Sequence, residues 1–152
     1  MAQNFLSITW SSIVQSGSLN MTNPIGRSPY QKIGGEAGVR NLVNAFYDLV
    51  ENDPLGQPLL VMHNKGHGIA HARDAQFEFL SGFLGGPPLN FGHHRNSNVR
   101  TIHAHLEIGT VERDAWLVCI NKALHQIQAE PETHILLMNH FSRIAEVLRT
   151  GP

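Results

Sequence analysis

Hydrophobic and polar positions along this chain recur with the helical period of about 3.6 residues, which is typical of amphipathic α-helices. The stretch EAGVRNLVNAFYDLVEN, residues 36–52, predicts the first long helix. Its apolar stripe consists of Val39, Leu42, Val43, Phe46 and Val50, with Tyr47 in the same stripe. The segment DPLGQP ends this helix, and a loop is predicted from there through HNKGHG.

The rest of the chain repeats this helical pattern. A second helix is predicted over 69–84, up to GGPP, with a stripe of Ala72, Ala75, Gln76, Phe79, Leu80 and Phe83. A short helix is predicted over 99–105. Another begins at Gly109-Thr110, with Thr110 as N-cap and Arg113 where a capping box has Glu. Its stripe is Trp116, Cys119, Ile120, Ala123, Leu124 and Ile127. The last helix is predicted over 132–149, with Leu137, Phe141, Ile144, Ala145 and Leu148 inward. No segment shows convincing β-alternation, so the chain is predicted to be all-α.

Length and composition narrow the class of protein. The 152 residues are 41% hydrophobic and 15% charged, which favours one globular domain. The net charge of −1 gives no basic patch for nucleic acid, and no apolar run is long enough to span a membrane. The single cysteine, Cys119, excludes an intramolecular disulfide and fits a reducing cytosol. Residues 1–28 are predicted to be a flexible extension without a secretory signal, so we expect a cytoplasmic protein with its domain at 29–152.

Three polar or amphipathic side chains interrupt the apolar stripes. Gln76 would be a buried amide, which either finds a backbone partner at the core edge or donates into a pocket. Tyr47 and Trp116 are compatible with ordinary core positions, but each carries a hydrogen-bond donor that needs a partner when it is buried. These residues are candidate binding residues rather than assigned ones.

The ten histidines are mostly in loops or without metal-ligand spacing. His103 and His105 differ by about 200° around a helix, so only one can face the core. His103 shares the apolar side with Val99 and Leu106, although a buried core histidine without a ligand role stays possible. One histidine cannot hold zinc alone, but it can hold haem iron, because the porphyrin supplies four further ligands.

Four motifs together resemble the group II truncated haemoglobins over about residues 29–149. They are YQKIGGEAGVRNLVNAFYDLV, FLSGFLGGPP, VRTIHAHLEIG and ERDAWL. The resemblance implies a two-over-two helical sandwich that binds haem b. It differs from the family in the loop HNKGHGIAHARD, which lacks the usual acidic character, and in residues 1–28, which have no counterpart in the family pattern.

The resemblance also implies roles for individual residues. His103 matches the proximal iron ligand, Tyr47 the distal tyrosine, and Trp116 the tryptophan that marks groups II and III. Gln76 lies where many relatives have leucine and some have glutamine, and Ala72 lies at the distal histidine position of ordinary globins. His63 matches a variable pocket position, and Arg100 is a candidate partner for a haem propionate by its charge. The implied pocket lining further includes Phe46, Phe79 and Leu80.

This pocket predicts a globin that binds O2, NO or CO at a pentacoordinate iron. Donors from Tyr47, Gln76 and Trp116 would slow O2 release, which favours redox chemistry such as oxidation of nitric oxide to nitrate, or a peroxidase-like role. Such turnover needs a reductase that the sequence does not identify. The alternative function is a carrier or sensor of oxygen or sulfide. Either His63 or Tyr47 could be an internal sixth ligand of the iron. The protein is expected to be a monomer or homodimer.

Overall fold

The computed structural model describes residues 26–89 and 106–151, and every structural statement below concerns these ranges. The helices are α1 (Pro29–Lys32), α2 (Gly35–Asn52), a 3₁₀ turn (Pro54–Gly56), α3 (Gln57–Lys65), α4 (Ile69–Phe83), α5 (Thr110–Gln126) and α6 (Pro131–Leu148). The described part of the chain contains no strand, so the all-α prediction is confirmed there. The predicted helix over 99–105 and all of the extension up to residue 25 lie outside it.

Four long helices form two layers of two. Helix α2 packs against α4 and α5, and α5 also packs against α6 and α3. This is the predicted two-over-two sandwich. None of the helices in the two described ranges is long and apolar enough to span a membrane.

A chain of aromatic rings passes through all four long helices. Phe46 of α2 lies 5.7 Å from Trp116 of α5, measured between ring centroids. Trp116 lies edge-on to Phe141 of α6 at 5.4 Å, and Phe141 stacks on Phe83 of α4 at 5.8 Å. Aromatic pairs at these separations add to the stability gained by burial. The sandwich is therefore held together by continuous ring contacts as well as by its aliphatic core.

The stripe predicted for α2 is buried throughout, and so is Tyr47. The stripe predicted for α4 is partly wrong, because Ala75 is exposed while Phe77, which was not assigned to it, is buried. Phe77 belongs to the buried core cluster together with Leu80, and the Arg40 guanidinium of α2 lies 3.6 Å from the centre of its ring. Such a cation–π contact adds to the burial that the core provides.

Two predictions about helix boundaries are also wrong. Residues 57–65, predicted as loop, form helix α3, because Pro58 lies in the first turn, where proline is tolerated and its fixed φ favours a helix. The N-cap of α5 is Gly109 rather than Thr110. The Gly109 amide donates to the Glu112 carboxylate at 2.9 Å, so Glu112 occupies the capping-box position that was assigned to Arg113.

Both Gly-Gly pairs in the sequence meet at one side chain, Tyr30. Gly34 and Gly35 have φ of +106° and +67°, which lets the chain turn sharply between α1 and α2. A β-carbon on Gly86 would collide with the Tyr30 ring, and the Tyr30 amide donates to the Leu84 carbonyl at 2.9 Å. The glycines thus allow α1 to dock closely on the end of α4.

Candidate functional site

The Tyr47 side chain lies at the centre of the candidate site. It is 2% exposed, and its ring meets Phe46 edge-on at 4.8 Å between centroids. Its hydroxyl has no hydrogen-bond partner within the described ranges. Burial raises the pKa of the Tyr47 phenol well above its ordinary value, and the positive charge of Arg73 only partly offsets this. The phenol therefore stays protonated at neutral pH and can donate a hydrogen bond.

His63 of α3 lies on another side of the Tyr47 ring. The two rings are edge-on, with 5.7 Å between their centroids. The Nδ1 atom of His63 is 2.7 Å from the Leu59 carbonyl oxygen. Because a carbonyl oxygen can only accept, this nitrogen carries the hydrogen. His63 is thereby fixed in orientation by α3, the helix that was predicted to be a loop.

Helix α4 carries the predicted pocket residues Ala72, Gln76, Phe79 and Leu80. Leu80 is fully buried, whereas Ala72, Gln76 and Phe79 are half-buried. Ala72, Phe79 and Trp116 of α5 pack against the core cluster that includes Phe46 and Tyr47. Of the candidates on α2, α3 and α5, the structure joins Phe46, Tyr47, His63 and Trp116 through ring contacts.

Arg73, which the sequence reasoning missed, connects α4 to α2 beside Tyr47. Its Nη2 donates to Asp48 Oδ1 at 2.7 Å and to Glu51 Oε1 at 3.0 Å. Its Nη1 lies 3.3 Å from Asn44 Oδ1. Partial burial lowers the pKa of Arg73, but the hydrogen bonds to Asp48 and Glu51 outweigh it and raise that pKa above its ordinary value. The acidic pair at 48 and 51 on one helix face was a signal for such a partner, but it did not indicate which cation.

The predicted proximal ligand His103 and the predicted propionate partner Arg100 lie outside the described residues. Among the residues that the structure describes, no group of three or more His, Cys, Asp or Glu could hold a metal ion. The described site is a cluster of aromatic and aliphatic side chains around Tyr47, a protonated donor on a buried side chain. Apolar surroundings with a few placed polar groups are typical of sites that bind an organic cofactor.

Comparison with known proteins agrees with this reading of the site. Residues 28–149 match the sequence model of the bacterial-like globins. The chain is 30% identical over 118 residues to the group 2 truncated hemoglobin YjbI of Bacillus subtilis. The matched stretch covers 78% of this chain and 85% of that protein.

Solved structures show the same similarity. A cold-adapted truncated haemoglobin from Pseudoalteromonas haloplanktis is 35% identical with a TM-score of 0.75, covering 82% of this chain and 98% of that one. The group II 2-on-2 haemoglobin of Agrobacterium tumefaciens is 26% identical with a TM-score of 0.77, and the match covers 87% of this chain and 100% of that one. A truncated oxygen-avid haemoglobin from Bacillus subtilis is 29% identical with a TM-score of 0.69, and the match covers 82% of this chain and 100% of that one.

The chain therefore belongs to the bacterial-like globin family and has its two-over-two fold. Within that family its relatives include group II truncated haemoglobins, which confirms the resemblance drawn from the four motifs. Membership implies a haem cofactor and small diatomic ligands such as O2. The aromatic and aliphatic cluster around Tyr47, with its donor hydroxyl on α2, fits such a cofactor.

Proposed function

We propose that the protein binds haem b and retains O2, and related ligands such as NO and CO, through hydrogen bonds donated from α2 and α4. The observation that carries this proposal is the Tyr47 side chain, which is buried beside aromatic rings and whose hydroxyl forms no hydrogen bond with another residue in the described part of the chain. The hydroxyl is therefore available to donate a hydrogen bond to a ligand. A ligand that accepts this hydrogen bond would be held more tightly.

Haem, when bound, supplies an iron coordination position that is open to a diatomic ligand. We assign His103 to the proximal side of the haem and Arg100 to a propionate, following the family motifs. On the distal side, the Tyr47 hydroxyl, the Gln76 amide and the Trp116 indole N–H are donors, and Phe46, Ala72, Phe79 and Leu80 line the pocket. In this assignment the three donors make the polar contacts with the ligand, and the four lining side chains exclude water.

We further propose that Tyr47 is a donor rather than an internal sixth ligand, so that the iron is pentacoordinate in the absence of a diatomic ligand. Tyrosine ligates iron as a phenolate, and burial raises the pKa of Tyr47, which favours the neutral phenol. His63 is held by its Nδ1 contact to Leu59, on α3, in an edge-on position beside Tyr47. That contact supports a pocket-wall role for His63.

For the reaction, we propose oxygen-linked redox chemistry, with oxidation of nitric oxide to nitrate as the leading candidate. Several donors around one small ligand slow its release, which suits chemistry on the retained ligand better than transport. The similarity to a haemoglobin described as oxygen-avid supports slow release. Turnover would require electrons from a reductase. A carrier or sensor without turnover is the second candidate, favoured if the oxygenated protein does not react with nitric oxide.

The first test is an absorption spectrum of the purified wild type with added haem. We expect a Soret band that is lost or shifted in His103→Ala and unchanged in His125→Ala, a control at an exposed histidine near the end of α5. No haem uptake by the wild type would refute the proposed function.

The second test separates the two candidate functions. The oxygenated protein is mixed with nitric oxide, and nitrate is measured against the amount of protein consumed. Stoichiometric nitrate, followed by renewed turnover when a reductant is supplied, supports the redox function. Displacement of oxygen without nitrate supports the carrier or sensor.

A further inference from the structure

We propose that Arg73 is a positioning residue for the distal pocket: by binding three side chains of α2, it sets the distance of Ala72 and Gln76 from the Tyr47 hydroxyl. This inference rests on the proposed function, because it concerns the same pocket. It assigns to Arg73 a role that neither the hydrophobic pattern nor the family motifs indicate.

The contacts of Arg73 lie on one face of α2, beside Tyr47. Asn44, Asp48 and Glu51 follow one another at spacings of four and three residues, so they share one face of α2. The Arg73 guanidinium spans this face, with distances of 3.3, 2.7 and 3.0 Å to their side-chain oxygens. Tyr47 lies within the same stretch of α2, and the guanidinium carbon is 5.7 Å from the centre of its ring.

Arg73 lies next to the predicted pocket residues of α4. Ala72 precedes it directly, and Gln76 follows about 4.5 Å along the helix axis. Since a helix moves as a rigid element over such a distance, any shift of α4 at Arg73 also shifts both pocket residues. Among the described residues, every side-chain hydrogen bond between α2 and α4 comes from Arg73.

The arginine side chain suits this set of acceptors chemically. A guanidinium presents several donors in a fixed plane, so it can bind three acceptors at once, whereas the ammonium of lysine is a point charge on a flexible stem. Two of the acceptors are carboxylates, so the contacts are charge-assisted. The Arg73 side chain is 24% exposed, and Asp48 and Glu51 are more exposed still, so salt should weaken these contacts.

Arg40 provides a matched control. It also connects α2 to α4, with an ion pair to Asp74 at 3.8 Å and the cation–π contact to Phe77 at 3.6 Å. It has no ring or ionic contact with Tyr47 in the described structure. Replacing either arginine by methionine therefore removes one cationic link between the same two helices, but only Arg73→Met acts beside the pocket.

The experiment uses the haem-loaded proteins. O2 dissociation is measured by stopped flow at low and high salt, and the C–O stretching frequency is measured for the CO complex. Hydrogen exchange of the backbone amides in 69–76 gives a readout that does not depend on ligand release. We expect Arg73→Met to release O2 about fivefold faster, the loss of about one weakened hydrogen bond. It should also shift the C–O stretch and speed exchange in 69–76.

The controls decide between positioning and general support. Arg40→Met should leave both the O2 dissociation rate and the C–O stretch close to wild type. Arg73→Lys should be intermediate, and high salt should move the wild type toward Arg73→Met. Equal effects of the two methionine variants, or no effect of Arg73→Met, would overturn the inference while the proposed function stands. Failure of the wild type to take up haem would instead overturn the proposed function.

Discussion

Replacing Tyr47 by phenylalanine removes one buried oxygen atom and leaves the ring contacts with Phe46 and His63 in place. Because the hydroxyl has no partner in the described ranges, its removal breaks no protein hydrogen bond that the structure shows. We therefore expect the free energy of unfolding of the ligand-free protein to stay the same or to rise by up to about 1 kcal/mol. Folding stability and ligand retention should then respond in opposite directions.

The effect on ligand release follows from the same atom. A hydrogen bond to a neutral acceptor contributes about 1 kcal/mol and one to a charged acceptor up to about 3 kcal/mol. Since 1.4 kcal/mol corresponds to a factor of ten, Tyr47→Phe should speed O2 dissociation by about 5- to 150-fold. Loss of the donor should leave the association rate much less affected.

The assay is rapid mixing of the oxygenated protein with excess CO, together with thermal unfolding of the ligand-free protein. Tyr30→Phe is the matched control, since Tyr30 is the other tyrosine of the chain and contacts Gly35 and Gly86 instead of the pocket. It should leave O2 dissociation unchanged. A dissociation rate of Tyr47→Phe within twofold of the wild type would refute the reasoning that the unpaired hydroxyl serves a ligand.

Three further predictions concern stability. Hydrogen bonds from Arg149 and Arg113 hold the pKa of Glu146 at about 2, below its ordinary value of 4.5. The ionised Glu146 therefore adds to the free energy of unfolding above pH 4.5, and this stabilisation is lost as the pH falls toward 2. Glu146→Gln should thus lower the thermal midpoint at pH 7 but not near pH 2, and an equal difference at both pH values would contradict this. Gly86→Ala should lower the free energy of unfolding, measured in urea, by about 1–3 kcal/mol, because the new β-carbon meets the Tyr30 ring. The loss should be smaller in a Tyr30→Ala background, and equal losses in both backgrounds would argue against the clash. Thr133 has a buried hydroxyl without a partner in the described structure, so Thr133→Val should be as stable as the wild type or more so by about 1 kcal/mol, with Thr133→Ser as control; a clear loss would mean that the hydroxyl is hydrogen-bonded.

The helical pattern was predictable wherever one face of a helix is buried and the other is solvated. The stripe of α2 from Val39 to Val50 is buried as predicted. The long helices α2, α4 and α6 begin and end within a residue of their predicted bounds, and α5 begins where it was predicted to begin. Helix α3 was missed because it buries only Leu59, which leaves almost no apolar period to detect. Phe77 was missed because the α4 stripe was placed through Ala75 and Gln76, whereas the packing of α4 buries Phe77 together with Leu80.

For the candidate site, the sequence identified side chains that can donate a hydrogen bond, but it did not show which residues they contact. Tyr47 and Trp116 were identified because a residue with a hydrogen-bond donor in an apolar stripe needs a partner when it is buried. The structure adds that the Tyr47 hydroxyl has none among the described residues. The roles of His103 and Arg100 rest on the motifs, since both lie outside the described ranges.

The sequence by itself determined the helical periods, the buried faces of the main helices and the family, because each of these depends on residues that are close in the chain or on motif spacing. Only the tertiary structure decided that Arg73 binds α2 beside Tyr47, through partners 22, 25 and 29 residues away. Local patterns report whether a side chain is buried, since burial follows from its place on one helix. Which polar groups meet depends on how two helices pack, and that is set by the whole core at once.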